Sequence, residues 1–102
     1  MSEQMQIVES IVNSLDSNVS DINVTVSIIG EEHKNKTILV FIKCTKEKKN
    51  QPAKVYDLSF AYFISKPEKN GVSGELSAEA QELYWHINEI LKTQKIYPHT
   101  YH

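Results

Sequence analysis

Over the first fifteen residues the apolar positions repeat with a helical period. Val8, Ile11, Val12 and Leu15 fall at i, i+3, i+4 and i+7, with Met5 one turn earlier. Ser2 is placed to cap this helix and Glu3 to favour its first turn, while Asp16-Ser17-Asn18 ends it. From Ile22 to Ile29 the period changes to two. Ile22, Val24, Val26 and Ile28 share one face and Asn23, Thr25 and Ser27 the other, which predicts a half-buried strand at a sheet edge.

Residues 37–45 predict a second strand. Ile38, Val40, Ile42 and Cys44 lie on one side, but Leu39 and Phe41 make the other side apolar as well, so this strand belongs at the centre. "TKEKKNQPA" reads as a loop closed by Pro52. The third strand runs from Val55 to Ile64, with Leu58, Phe60, Tyr62 and Ile64 opposed to Asp57, Ser59, Ala61 and Phe63. "SKPEKNGVSG" is turn chemistry throughout. Ser77 then caps a helix from Ala78 to about Lys95, whose stripe is Ala80, Leu83, Tyr84, Ile87, Ile90 and Leu91; Pro98 bars its continuation.

The order α-β-β-β-α predicts an α+β domain: a three-stranded antiparallel meander with both amphipathic helices on one face. It spans residues 1–96, followed by an aromatic tail at 97–102 that packs on the body or at an interface. A chain of 102 residues is large enough to close one core without disulfides or metals. No apolar run is long enough to cross a membrane, and no signal peptide is legible. The single Cys44 cannot form an internal disulfide, which points to a reducing, cytoplasmic setting.

Charge changes the picture more than composition does. Residues 1–33 hold six acids and no lysine; residues 34–69 hold nine lysines against three acids. There is no arginine, which weakens any reading that needs a bidentate grip on phosphate or carboxylate. Lys43, Lys46, Lys48, Lys49 and Lys54 gather at one hairpin end, making Lys46, Lys48 and Lys49 the candidates for an anion contact. The same element order occurs in double-stranded-RNA-binding domains. Their last helix opens on lysines, whereas "SAEAQEL" opens this one with Glu79 and Glu82, so the chain is not assigned to them.

Catalytic and metal chemistry find little support. His99 and His102 are close to helical ligand spacing, but Pro98 disfavours a helix there and no further ligand is adjacent. Cys44 alternates with inward residues and reads as a buried, inert thiol. Asp57 lies on the face away from the helices, within reach of Lys43 on the neighbouring strand. "NGVSG" lacks the pattern of a phosphate loop and reads as a strand-to-helix turn. No catalytic set, cofactor or metal is therefore expected.

The strongest functional signal is apolar surface without a use. Trp85 falls about 160° from the centre of the helical stripe at 100° per residue, on the side of Glu82 and Glu89. Leu39, Phe41, Ala61 and Phe63 fall on the sheet face that the helices leave bare. Tyr97 and Tyr101 add aromatic mass in the tail, which is placed to cover Trp85 or to extend an interface with it. The expected function is a non-enzymatic protein-binding module, an adaptor, inhibitor or immunity-type protein of the kind a phage or mobile element encodes. It would act through Trp85, Leu39, Phe41, Phe63, Glu82, Glu89, Tyr97 and Tyr101, with a protein partner or as a homodimer. The alternatives are a nucleic-acid or phosphate binder using hairpin 43–54 and, third, a small enzyme.

Overall fold

A computed structural model describes residues 2–30, 36–64, 70–74 and 77–97. The elements run α1 (Glu3–Ser14), β1 (Val19–Ile29), β2 (Thr37–Lys48), β3 (Gln51–Phe63), β4 (Gly71–Ser73) and α2 (Ala78–Thr93). The strands form one antiparallel sheet in the order β1-β2-β3-β4. The architecture is the expected α+β, with both helices on one face and four strands rather than three.

The fourth strand arises where turn residues were read. Gly71, Val72 and Ser73 pair with Ala61, Phe60 and Ser59. Three residues carry no period of their own, so only pairing with β3 makes them a strand. The "TKEKKNQPA" loop shrinks in the same way. β2 continues to Lys48 and β3 starts at Gln51, leaving Lys49 and Asn50 as the turn. Asn50 adopts a φ of 63°, a left-handed conformation that Asn tolerates better than most residues. Pro52 fits because residues 51–58 of β3 have no described strand on their outer side, so no ladder donor is missed.

Helix ends follow the sequence. The Ser2 hydroxyl accepts from the Met5 N–H at 3.2 Å and the Ser77 hydroxyl from the Ala80 N–H at 3.1 Å, each satisfying an orphan donor of the first turn. Ile7 and Ile11 of α1 are fully buried. They pack with Val26, Ile38, Val40, Ile42 and Cys44, and with Tyr56, Leu58, Phe60 and Tyr62 of β3. Burying each such side chain stabilises the fold by about 1.5–3 kcal/mol before entropy is set against it.

α2 is rolled relative to its sequence stripe. Ala80, Tyr84, Ile87, Asn88 and Leu91 are buried, while Leu83 and Ile90 pack only partly against the core. The cause is aromatic packing. The Tyr84 ring stacks on Tyr62 at 5.4 Å and on Phe60 at 6.0 Å, which draws the Tyr84–Asn88 side of the helix down. The Tyr62 hydroxyl donates to the Tyr84 carbonyl at 3.5 Å, and burial pushes its pKa well above the usual tyrosine range.

Candidate functional site

Among the described residues, a cleft of about 440 Å³ opens between the end of α1 and α2. Leu15 and Val19 line it from the α1 side, Cys44, Tyr56 and Leu58 from the sheet, and Leu83 and Trp85 from α2. Its polar lining is unbalanced. Asp16, Glu82 and Glu89 contribute carboxylates and Glu79 one already paired with Lys48, against Lys46 and the His86 ring. Nothing local in the sequence brings Asp16 near Glu82. The antiparallel run of the two helices does so, by placing the end of one beside the start of the other.

Trp85 is therefore not on the outer pole of α2. The roll toward Tyr84 and Asn88 brings it round, and its ring meets the Tyr84 ring edge-on at 5.7 Å. It keeps 37% of its surface exposed and lines the cleft with Glu82 and Glu89. These three expected residues thus come together at one site.

The lysines of hairpin 43–54 divide. Lys46 lines the cleft. Lys48 forms an ion pair with Glu79 at 3.0 Å, and Lys54 lies 5.4 Å from the centre of the Tyr56 ring. Lys49 is exposed at the turn. Hydrogen bonds from Lys48 and then Ser77 lower the pKa of Glu79 to about 2. Cys44 is buried, as its alternation implied; desolvation raises its pKa and the nearby Lys46 charge opposes that. The thiol is protonated at neutral pH and is a poor nucleophile.

Leu39, Phe41 and Phe63 lie on the opposite surface, the open face of the sheet. Phe41 is 43% exposed there. A depression of about 250 Å³ runs between Leu39, Phe41, Ser59, Ala61, Gly71 and Ser73. Lys43 and Asp57 are register partners on this face, as their strand positions implied.

Tyr97 is at neither site. It follows the buried Ile96 and borders a third hollow with Glu3 and Lys36, at the far end of α2 from the cleft's acidic rim. Tyr101, the His99/His102 pair and the cover of Trp85 by the tail lie outside the described residues. Among the described residues, no three His, Cys, Asp or Glu side chains are grouped to hold a metal ion. Nor is any described helix long and apolar enough to cross a membrane.

Asp16, Tyr56, Glu79, Leu83 and His86 join the cleft without having been singled out. Glu79 carried one signal, as an acid in the first turn of a capped helix, but its partner Lys48 is 31 positions away and reaches it only through the β2–β3 hairpin. Comparison with known proteins finds no family model that matches the chain, no similar curated protein and no similar solved structure.

Proposed function

We propose that the protein is a non-enzymatic binding module whose cleft captures a basic polypeptide segment carrying an apolar anchor, as an adaptor or inhibitor would. The observation that carries this is the pairing of an apolar lining with a carboxylate rim beside a half-exposed tryptophan. The lining removes an aliphatic or aromatic side chain from water, and the rim favours lysine or arginine on either side of it. The volume of about 440 Å³ suits one or two side chains of a partner. The protonated Cys44 gives no support to a nucleophilic role, and a single buried cysteine suits a reducing compartment.

The nucleic-acid alternative is less well supported. Lys48 is already neutralised by Glu79, Lys54 lies over Tyr56, and Lys46 opens onto the acidic cleft. A phosphate backbone laid along this hairpin would meet the Lys48–Glu79 pair and the Glu82 carboxylate.

Trp85 is the chain's only tryptophan, so its emission reports on the cleft directly. Titration with a peptide array that varies charge around a central Leu or Phe should blue-shift that emission for basic members only. Glu82→Lys with Glu89→Lys should weaken those members at least tenfold. Equal binding of acidic and basic peptides, or no response up to millimolar peptide, would overturn the proposal. Binding of a 20-mer RNA or DNA that falls steeply with salt would favour the alternative.

A further inference from the structure

The open face of the sheet stands on residues separate from the cleft, and its pattern is specific. The register sets its side chains in cross-strand rows. One row is Thr25, Phe41, Ser59 and Ser73; the next is Ser27, Leu39, Ala61 and Gly71. Beyond them lie Ile29, Thr37 and Phe63 on one side, and Asn23, Lys43 and Asp57 on the other. Within the central rows the bulky residues are on β2 and the small ones on β3. The one charged row holds a single Lys and a single Asp, also divided between β2 and β3.

A face built this way is complementary to itself. For two sheets packed face to face, a twofold axis lies in the plane between them. When that axis runs parallel to the strands, between β2 and β3, each β2 residue of one protomer meets the β3 residue of the same row on its partner. Phe41 then meets the partner's Ser59, and Leu39 the partner's Ala61. Lys43 meets the partner's Asp57, and Asp57 the partner's Lys43. β1 meets β4, where Thr25 and Ser27 oppose the partner's Ser73 and Gly71. In the β2–β3 pairs large faces small and positive faces negative, while the β1–β4 pairs set small residues against small ones. The partner's strands run in the same direction as those of the first copy, the aligned arrangement in which two sheets pack about 10 Å apart with interdigitated side chains.

We infer that this face is a homodimer interface, closing two copies into a β-sandwich about an axis between β2 and β3. Three strands of seven to nine residues and the three residues of β4, spaced by about 4.8 Å and rising about 3.3 Å per residue, present on the order of 450 Å² per copy. Two copies bury about 900 Å², the size of a weak, transient contact. Within these rows Lys43 and Asp57 balance, so copies do not repel there. Each cleft lies on the helix side and stays open in the dimer.

The test is a charge swap read by sedimentation equilibrium from 1 to 500 µM, with circular dichroism confirming that each variant is folded. Wild type should pass from monomer to dimer across this range. Lys43→Glu puts two acids on each face, and Asp57→Lys puts two lysines there. Each alone should associate at least tenfold more weakly than wild type. Their equimolar mixture should regain dimer to within about threefold of wild type, as a mixed species. A role of the Lys43–Asp57 pair confined to one chain would not produce that rescue. Phe41→Glu should be monomeric at every concentration. Wild type that stays monomeric to 500 µM overturns the inference. So does a dimer that both charge variants form as readily as wild type, with no preference in the mixture, because the contact would then lie elsewhere.

Discussion

The two faces of the β2–β3 pair are built from the same kinds of residue and end in opposite conditions. On one face Ile38, Val40, Ile42, Leu58, Phe60 and Tyr62 are almost wholly removed from water by α1 and α2. On the other, Leu39, Phe41, Ala61 and Phe63 have no described helix above them, and Phe41 keeps 43% of its surface exposed. The difference is one of cover, not of composition. An apolar strand position is stabilising only where another element excludes water from it. The face with helices supplies most of the stability of one chain, and the other face adds less to it.

Substitution at matched aromatics should break this contrast most sharply. Phe60 and Phe41 are both β-strand phenylalanines near the middle of the sheet. Phe60→Ala removes a ring stacked on Tyr84 and should cost about 3–5 kcal/mol in urea unfolding, the range for a cavity-forming Phe truncation. Phe41→Ala should cost the dilute monomer about 1 kcal/mol or less while lowering self-association. Similar losses at the two positions in monomer would refute the assignment of faces.

A middle-sized effect tests the join between the faces. Gly74 follows β4, where the chain leaves the sheet for α2, and has a φ of 111°. A Cβ there would lie 2.7 Å from the Asp57 carbonyl oxygen. Gly74→Ala should therefore destabilise by about 1–3 kcal/mol through backbone strain and contact. It should also raise amide exchange in β4 ahead of β2 and β3. A melting temperature unchanged by the substitution would contradict this geometry.

The smallest effect belongs to the rim of the cleft. The Glu79 carboxylate is held to a pKa of about 2 by Lys48, against 4.5 for an ordinary glutamate. Because the folded value is the lower one, the stabilising contribution is complete above 4.5 and is lost as pH falls toward 2. Carboxyl NMR should place the Glu79 midpoint well below those of other glutamates, and Lys48→Met should return it toward the ordinary value. A midpoint near 4.5 in wild type would show that the hairpin and α2 are not tied together in solution.

Much of the fold is legible in the residues because local chemistry specifies it. Ser2 and Ser77 cap their helices as their positions imply, and the inward set Ile38, Val40, Ile42 and Cys44 is buried as its alternation implies. The misread strand segments share one cause. Gly71–Ser73 and residues 46–54 carry turn-forming types, yet pairing with β3 and β2 extends the ladder through them. Propensity is a weak guide when a neighbouring strand supplies the hydrogen bonds.

The candidate site divides along the same line. That Trp85, Glu82 and Glu89 belong together follows from helical spacing alone. That they meet Asp16, Cys44 and Tyr56 over a cleft does not, because those contacts depend on how α2 rolls and where α1 ends.

By itself the sequence determined the order of the two helices and three of the strands, the inward faces of β2 and β3, and the helix caps, since each follows from a short local pattern or the side chain of a single residue; it did not fix the helix faces, where Met5 and Val12 of the expected α1 stripe are exposed and Ile7 is buried. Only the tertiary structure decided that the sheet has a fourth strand, that Tyr84 turns α2 onto Phe60 and Tyr62, and that bulky β2 residues stand in register beside small β3 ones. Those outcomes depend on distances between residues far apart in the chain, which packing sets and local pattern does not.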